Sequence, residues 1–166
     1  MVSDESRSSS ARKERLSLLL RQREGEAERL RLQSSLESIS TAEWRLLSLS
    51  DTDVVGPELF AAVRAAREDD RLLTKTELAV SEFENDFRRV LADWPESHTI
   101  LVALSNFSQI GLLEIGVDSL ILIAHRLIDF DRDSMVAVSK DMSRGVIAQR
   151  FEYDRDVSYQ LEYWKP

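Results

Sequence analysis

The spacing of apolar residues changes at Pro95, and that change dictates a mixed fold. Before Pro95 apolar side chains recur at intervals of three and four, the repeat of a helix with one buried face. After it they come in short runs and strict alternation, the repeat of strands. The last segment is the clearest strand: Val157, Tyr159, Leu161 and Tyr163 alternate with Ser158, Gln160 and Glu162, one face for a core and one for water. Asp154, Arg155 and Asp156 form the turn before it. Met135–Ser139 and Val146–Tyr153 flank a loop of turn formers from Lys140 to Gly145, the chemistry of a hairpin. Thr99–Leu104 and Leu112–Ile115 are apolar runs around a polar Ser105–Gln109 turn, and Leu120–Ile128 is aliphatic enough to read as a buried strand.

Helix starts are marked upstream. Ser40 with Glu43, and Thr74 with Glu77, have the capping-box spacing, and Pro57 after Gly56 marks a third start. Leu78, Phe83, Phe87, Val90 and Leu91 then share a stripe that ends before Pro95, with Phe83 and Phe87 a core pair. The expected fold is α+β: N-terminal helices (41–94), then a C-terminal antiparallel sheet (98–164) of about four or five strands in meander order.

Ahead of this domain, assigned to residues 39–166, lies a serine-rich opening (1–10, expected to be flexible) and a charged helical stretch (11–38), read as an appendage. Leu16, Leu19, Leu20, Ala27, Leu30 and Leu36 follow helical spacing there. Arg23 and Ser34 interrupt the seam, and Gly25 weakens it by about 1 kcal/mol relative to Ala. A long regular coiled coil is therefore not expected. The stretch lays a narrow stripe on the body or pairs with another copy, a route to a homo-oligomer through residues 11–38.

Residues 1–40 hold 8 basic and 7 acidic side chains, and residues 41–166 hold 14 and 23, so the formal charge of −8 divides as +1 and −9. An acidic body argues against general nucleic-acid binding, which is driven by Lys and Arg releasing counterions. With 43% hydrophobic residues the chain can bury a real core. The absence of cysteine excludes disulfides, thiolate metal sites and thiol nucleophiles, and fits a reducing compartment. The polar N-terminus has no signal-peptide run, and Ser119–Ala124 is far too short to span a bilayer. A cytoplasmic location away from membranes follows as the expectation.

The segment Gly116-Val117-Asp118-Ser119-Leu120 resembles the attachment site of acyl and peptidyl carrier proteins, where a serine at a helix start receives a phosphopantetheine arm. Phe107 and Gly111 echo the lead-in. The resemblance spans five to fifteen residues, and the following segments do not read as the rest of a helical carrier bundle. The competing reading is a turn into a buried strand, capped by Asp118 and Ser119. Asp129, Asp131 and Asp133 alternate with Phe130 and Arg132 and offer three hard oxygen ligands. The Gly and distal Glu of a calcium loop are missing, so a polar connection is the simpler reading. His98 and His125 are the only imidazoles, and no metal-hydrolase, nucleophile-elbow or phosphate-loop motif accompanies them.

No catalytic residue, cofactor or metal is assigned on these grounds. The expectation is a small bacterial protein that acts by binding another protein, a basic one. Its sharpest form is an immunity or inhibitor protein that neutralises a basic toxin such as a nuclease. The candidate surface is Tyr153, Asp154, Asp156, Glu162 and Trp164, aromatic area interleaved with carboxylates. Two alternatives stand beside it: an enzyme whose site gathers His125, Arg126 and Asp129, and an oligomeric module built on the N-terminal helix.

Overall fold

The alternating C-terminal segment is a strand, and the sheet that holds it draws on both halves of the chain. The computed structural model describes residues 4–39, 43–95 and 99–166. In chain order these form α1 (Asp4–Glu37), β1 (Trp44–Leu46), α2 (Leu49–Glu68), β2 (Leu73–Leu78), α3 (Val80–Ala92) and β3 (Thr99–Leu104). There follow α4 (Phe107–Ile110), β4 (Leu113–Gly116), α5 (Val117–Asp131), β5 (Ser134–Ser139), β6 (Gly145–Tyr153) and β7 (Asp156–Trp164). The sheet is antiparallel throughout and has seven strands in the order β1-β4-β3-β5-β6-β7-β2.

This corrects the expected meander of four or five strands. Only β5-β6-β7 is a meander; α5 carries the chain from β4 over β3 to β5, and both edges come from the half expected to be helical. Both edges are blunt: β1 has three residues, and β2 carries Lys75 and a register break beside Glu77, whose φ is 57°. α1 begins at Asp4, inside the stretch expected to be flexible.

The helix boundaries have local causes. Ser48 caps α2 by accepting a hydrogen bond from the Asp51 amide at 3.0 Å, and Pro57 lies mid-helix on its exposed side rather than at a start. Thr74 and Glu77 are in β2; α3 starts later, where the Ala79 amide donates to the Glu82 carboxylate at 2.9 Å. Of the other expected box, Ser40 lies outside the described residues, and so does His98. The segment 120–128 is helical, because Val117, Leu120, Ile123, Ala124, Leu127 and Ile128 are buried at intervals of three and four. Arg132, at φ 61°, ends that helix in the left-handed region.

Helices α3 and α5 cover one face of the sheet, burying Phe83, Phe87, Leu120 and Ile123 against Val102, Ala137 and Leu161. Helix α2 covers the other, setting Leu59, Val63 and Ala66 on Leu101, Val138, Ile147 and Trp164. Gly145 makes room for the Trp164 indole, with which any Cβ there would collide. Among the described residues no helix is long and apolar enough to cross a membrane.

Of the leucine stripe expected on α1, only Leu36 docks. Leu32 and Leu36 enter the core, while Leu16, Leu19, Leu20 and Leu30 are 51–59% exposed. The docked side runs through Arg21, which grips Asp53 with bonds of 2.8 and 2.5 Å, and through Arg29. The Arg29 guanidinium donates to the carbonyls of Leu47 (3.0 Å), Leu46 (3.3 Å) and Ile110, closing the ends of β1 and α4. Between them Gly25 lies directly against the Gln109 backbone, where a Cβ would strike the carbonyl. Gly25→Ala gains about 1 kcal/mol of helix propensity but forces two backbones apart, a strain of about 1–3 kcal/mol. The expected outcome is lower stability and faster hydrogen exchange at 107–110, measured against the parent chain; a more stable variant would contradict the packing described.

Candidate functional site

Strand lengths create the most distinctive surface. β6 pairs with β5 only as far as Gln149 opposite Ser134, yet with β7 as far as Tyr153 opposite Asp156. The β6–β7 hairpin therefore overhangs its neighbour by four residues of β6. Asp154 (φ 49°) and Arg155 (φ 88°) make its two-residue turn, both in the left-handed region that tight hairpins require.

Alternation divides the overhang into two unlike faces. Arg150, Val157 and Tyr159 turn toward α3 and α5. Phe151, Tyr153 and Ser158 turn to the side of α2, whose packing on β6 ends at Ile147. Tyr153 is 80% exposed and Phe151 49%, with Asp154 and Asp156 exposed at the tip. Of the residues expected to form a docking surface, Tyr153, Asp154 and Asp156 thus come together. Glu162 lies farther along the same face, paired with Arg67 at 3.3 Å and accepting from Gln160 at 3.0 Å. Trp164 is core, 1% exposed, and offers no surface. Phe151 was not singled out by sequence; its signal is the two-residue spacing to Tyr153 beside a turn.

The covered face holds a polar cluster. The buried Tyr159 hydroxyl donates to Asp129 Oδ1 at 3.3 Å and lies 3.1 Å from His125 Nε2, while its ring stacks on Phe83 at 4.7 Å. His125 Nδ1 is 3.7 Å from Glu84, and Arg150 Nε is 3.7 Å from Asp129, with Arg150 Nη1 donating to Glu152 at 2.7 Å. Burial first, and the Asp129 charge next, push the Tyr159 phenol above its ordinary value. It stays protonated and acts as a donor, the opposite of an activated nucleophile. His125 and Asp129 do meet, i to i+4 on α5, but Arg126 is exposed on another side and takes no part. The cluster fastens the hairpin to α5.

The remaining candidates disperse. Asp131 caps its surroundings, accepting from Ser105 N (3.1 Å), Ser105 Oγ (2.8 Å) and Ser134 N (3.2 Å); Asp133 is exposed at the start of β5. Among the described residues no group of three or more His, Cys, Asp or Glu could hold a metal. Asp118 and Ser119 do open a helix, as in the carrier family, but α5 packs on a sheet rather than within a helical bundle. A cleft of about 500 Å³ lies between α1 and the start of α2, lined by Leu19, Arg23, Arg29 and Gln109. Another of about 400 Å³ lies beside Leu101, Glu114, Lys140 and Met142. Neither touches His125 or Asp129.

Because the Tyr159 pKa is raised in the folded chain, its contribution is complete below the ordinary phenol value and is lost as pH rises through the folded one. Tyr159→Phe should cost about 1 kcal/mol at neutral pH, and that difference should shrink above pH ~10. Denaturant midpoints of both proteins across that range test this; a constant gap would contradict the placement of the hydroxyl. Coexpression with a broad-specificity phosphopantetheinyl transferase should leave the intact mass at 19.0 kDa, with no addition on Ser119. Comparison with protein-family models, with curated proteins and with solved structures finds no match.

Proposed function

We propose that this chain is a non-enzymatic interaction protein that docks a basic protein partner on the open face and tip of the β6–β7 hairpin. The supporting observation is the exposure of Phe151 and Tyr153 side by side on a sheet face that α2 leaves bare. Single exposed apolar residues are ordinary, whereas paired aromatics on a rigid strand are the usual anchors of an interface. Asp154 and Asp156 flank them at the tip with two carboxylates against the one guanidinium of Arg155, while Glu152 lies on the other face, paired with Arg150. Carboxylates so placed speed encounter with a basic surface, and the aromatics then hold it.

Tight docking needs a surface that does not have to be ordered on binding. The hairpin meets that need: its other face is pinned through Tyr159, Asp129 and Arg150. An immunity or inhibitor protein that covers the basic active surface of a toxin is the sharpest form of this reading, since such a role requires binding and no chemistry of its own.

The test uses the immobilised full chain, its Phe151→Ser/Tyr153→Ser variant and its Asp154→Lys/Asp156→Lys variant as baits in the same native lysate. The parent chain should retain a basic protein that both variants lose, with binding weakened at least tenfold by raised salt. Retention of the same protein by all three baits, or binding indifferent to salt, would count against the reading.

A further inference from the structure

Helix α1 is held along one side only. Arg21, Gly25, Arg29, Leu32 and Leu36, at intervals of three and four, form that side. The opposite side carries Leu16, Leu20, Arg23, Ala27 and Leu30, again at intervals of three and four, with Leu19 beside them, and all six are exposed. Residues 10–17 are exposed too, so α1 continues for about two turns beyond its docked part. Helix ends of this length gain little from propensity alone in water, and leucine rows of this spacing normally bury against another helix.

We propose that the partner helix is α1 of a second copy, lying antiparallel about a two-fold axis near Arg23 and Glu24. The charges of α1 select this occupant. Between residues 10 and 23, Arg12, Lys13, Arg15 and Arg23 outweigh Glu14, and Arg21 is already paired with Asp53. Glu24, Glu26, Glu28 and Glu37 dominate the second part, where Arg29 is committed to carbonyls and Arg31 lies over the Phe130 ring at 5.7 Å. Antiparallel pairing sets the basic part of one copy on the acidic part of the other. It brings Leu16 opposite Leu30, Leu19 and Leu20 opposite Ala27, and Arg23 beside Glu24 and Glu26. Parallel pairing sets like charge on like along the whole helix. The docked side, through Arg21, Gly25 and Arg29, faces away from the axis.

Light scattering of the purified full chain tests the stoichiometry: the expected mass is twice 19.0 kDa, falling back to 19.0 kDa in Leu16→Glu/Leu20→Glu with the helical spectrum of the body retained. The chain has no cysteine, so introduced ones report geometry. Arg23→Cys should cross-link to itself, and Leu16→Cys should cross-link to Leu30→Cys in a mixture but not to itself. A mass of 19.0 kDa at every concentration, a dimer untouched by the paired Glu substitutions, or efficient self-cross-linking of Leu16→Cys would each overturn the proposal.

Discussion

Strand β3 is buried on both faces: Ile100, Leu101, Val102, Ala103 and Leu104 are each 0–3% exposed. A strand of this kind requires helices above and below it, and the architecture follows from meeting that demand with the helices at hand. Two of them, α3 and α5, share one face, and α2, with Phe107 of α4 beside it, covers the other. A helix of 20 residues is about 30 Å long, enough to cross the central strands but not to shelter the end of the longest hairpin as well. The bare face of β6–β7 is thus a consequence of unequal cover, and Phe151 and Tyr153 occupy it.

The same inequality explains why the hairpin is firm. On its covered face the buried phenol of Tyr159 has Asp129 and His125 as partners, the Arg150 guanidinium lies 3.7 Å from Asp129, and Phe83 stacks on the Tyr159 ring. A buried hydroxyl with partners costs little, and without them it would be expensive. His125 and Asp129 therefore have a sufficient structural occupation in holding the overhang to α5.

Local patterns were legible in the chain and long-range ones were not. The β6–β7 hairpin could be read directly, since alternation and turn chemistry are properties of neighbours, and with it Tyr153, Asp154 and Asp156 at the tip. Leu120–Ile128 misled because its aliphatic run hides a three- and four-residue burial pattern that begins at Val117. Thr74 and Glu77 have the spacing of a cap, but strand pairing with β7 prevails and the helix starts at Val80. The burial of Trp164 depends on α2 above it and on Gly145 across the ladder, contacts no neighbouring residue announces. For α1 only the leucine stripe was legible; that the other side docks is decided by Gly25 and Arg29 meeting α4 and β1.

The central claim is that the open hairpin face is where a partner sits, and amide hydrogen exchange locates that most directly. With the captured basic protein bound, protection should rise at 151–158 and stay unchanged along α3 and the far strand β1. Protection confined to α1 or to the clefts beside α2, with 151–158 exchanging as in the free chain, would contradict the account.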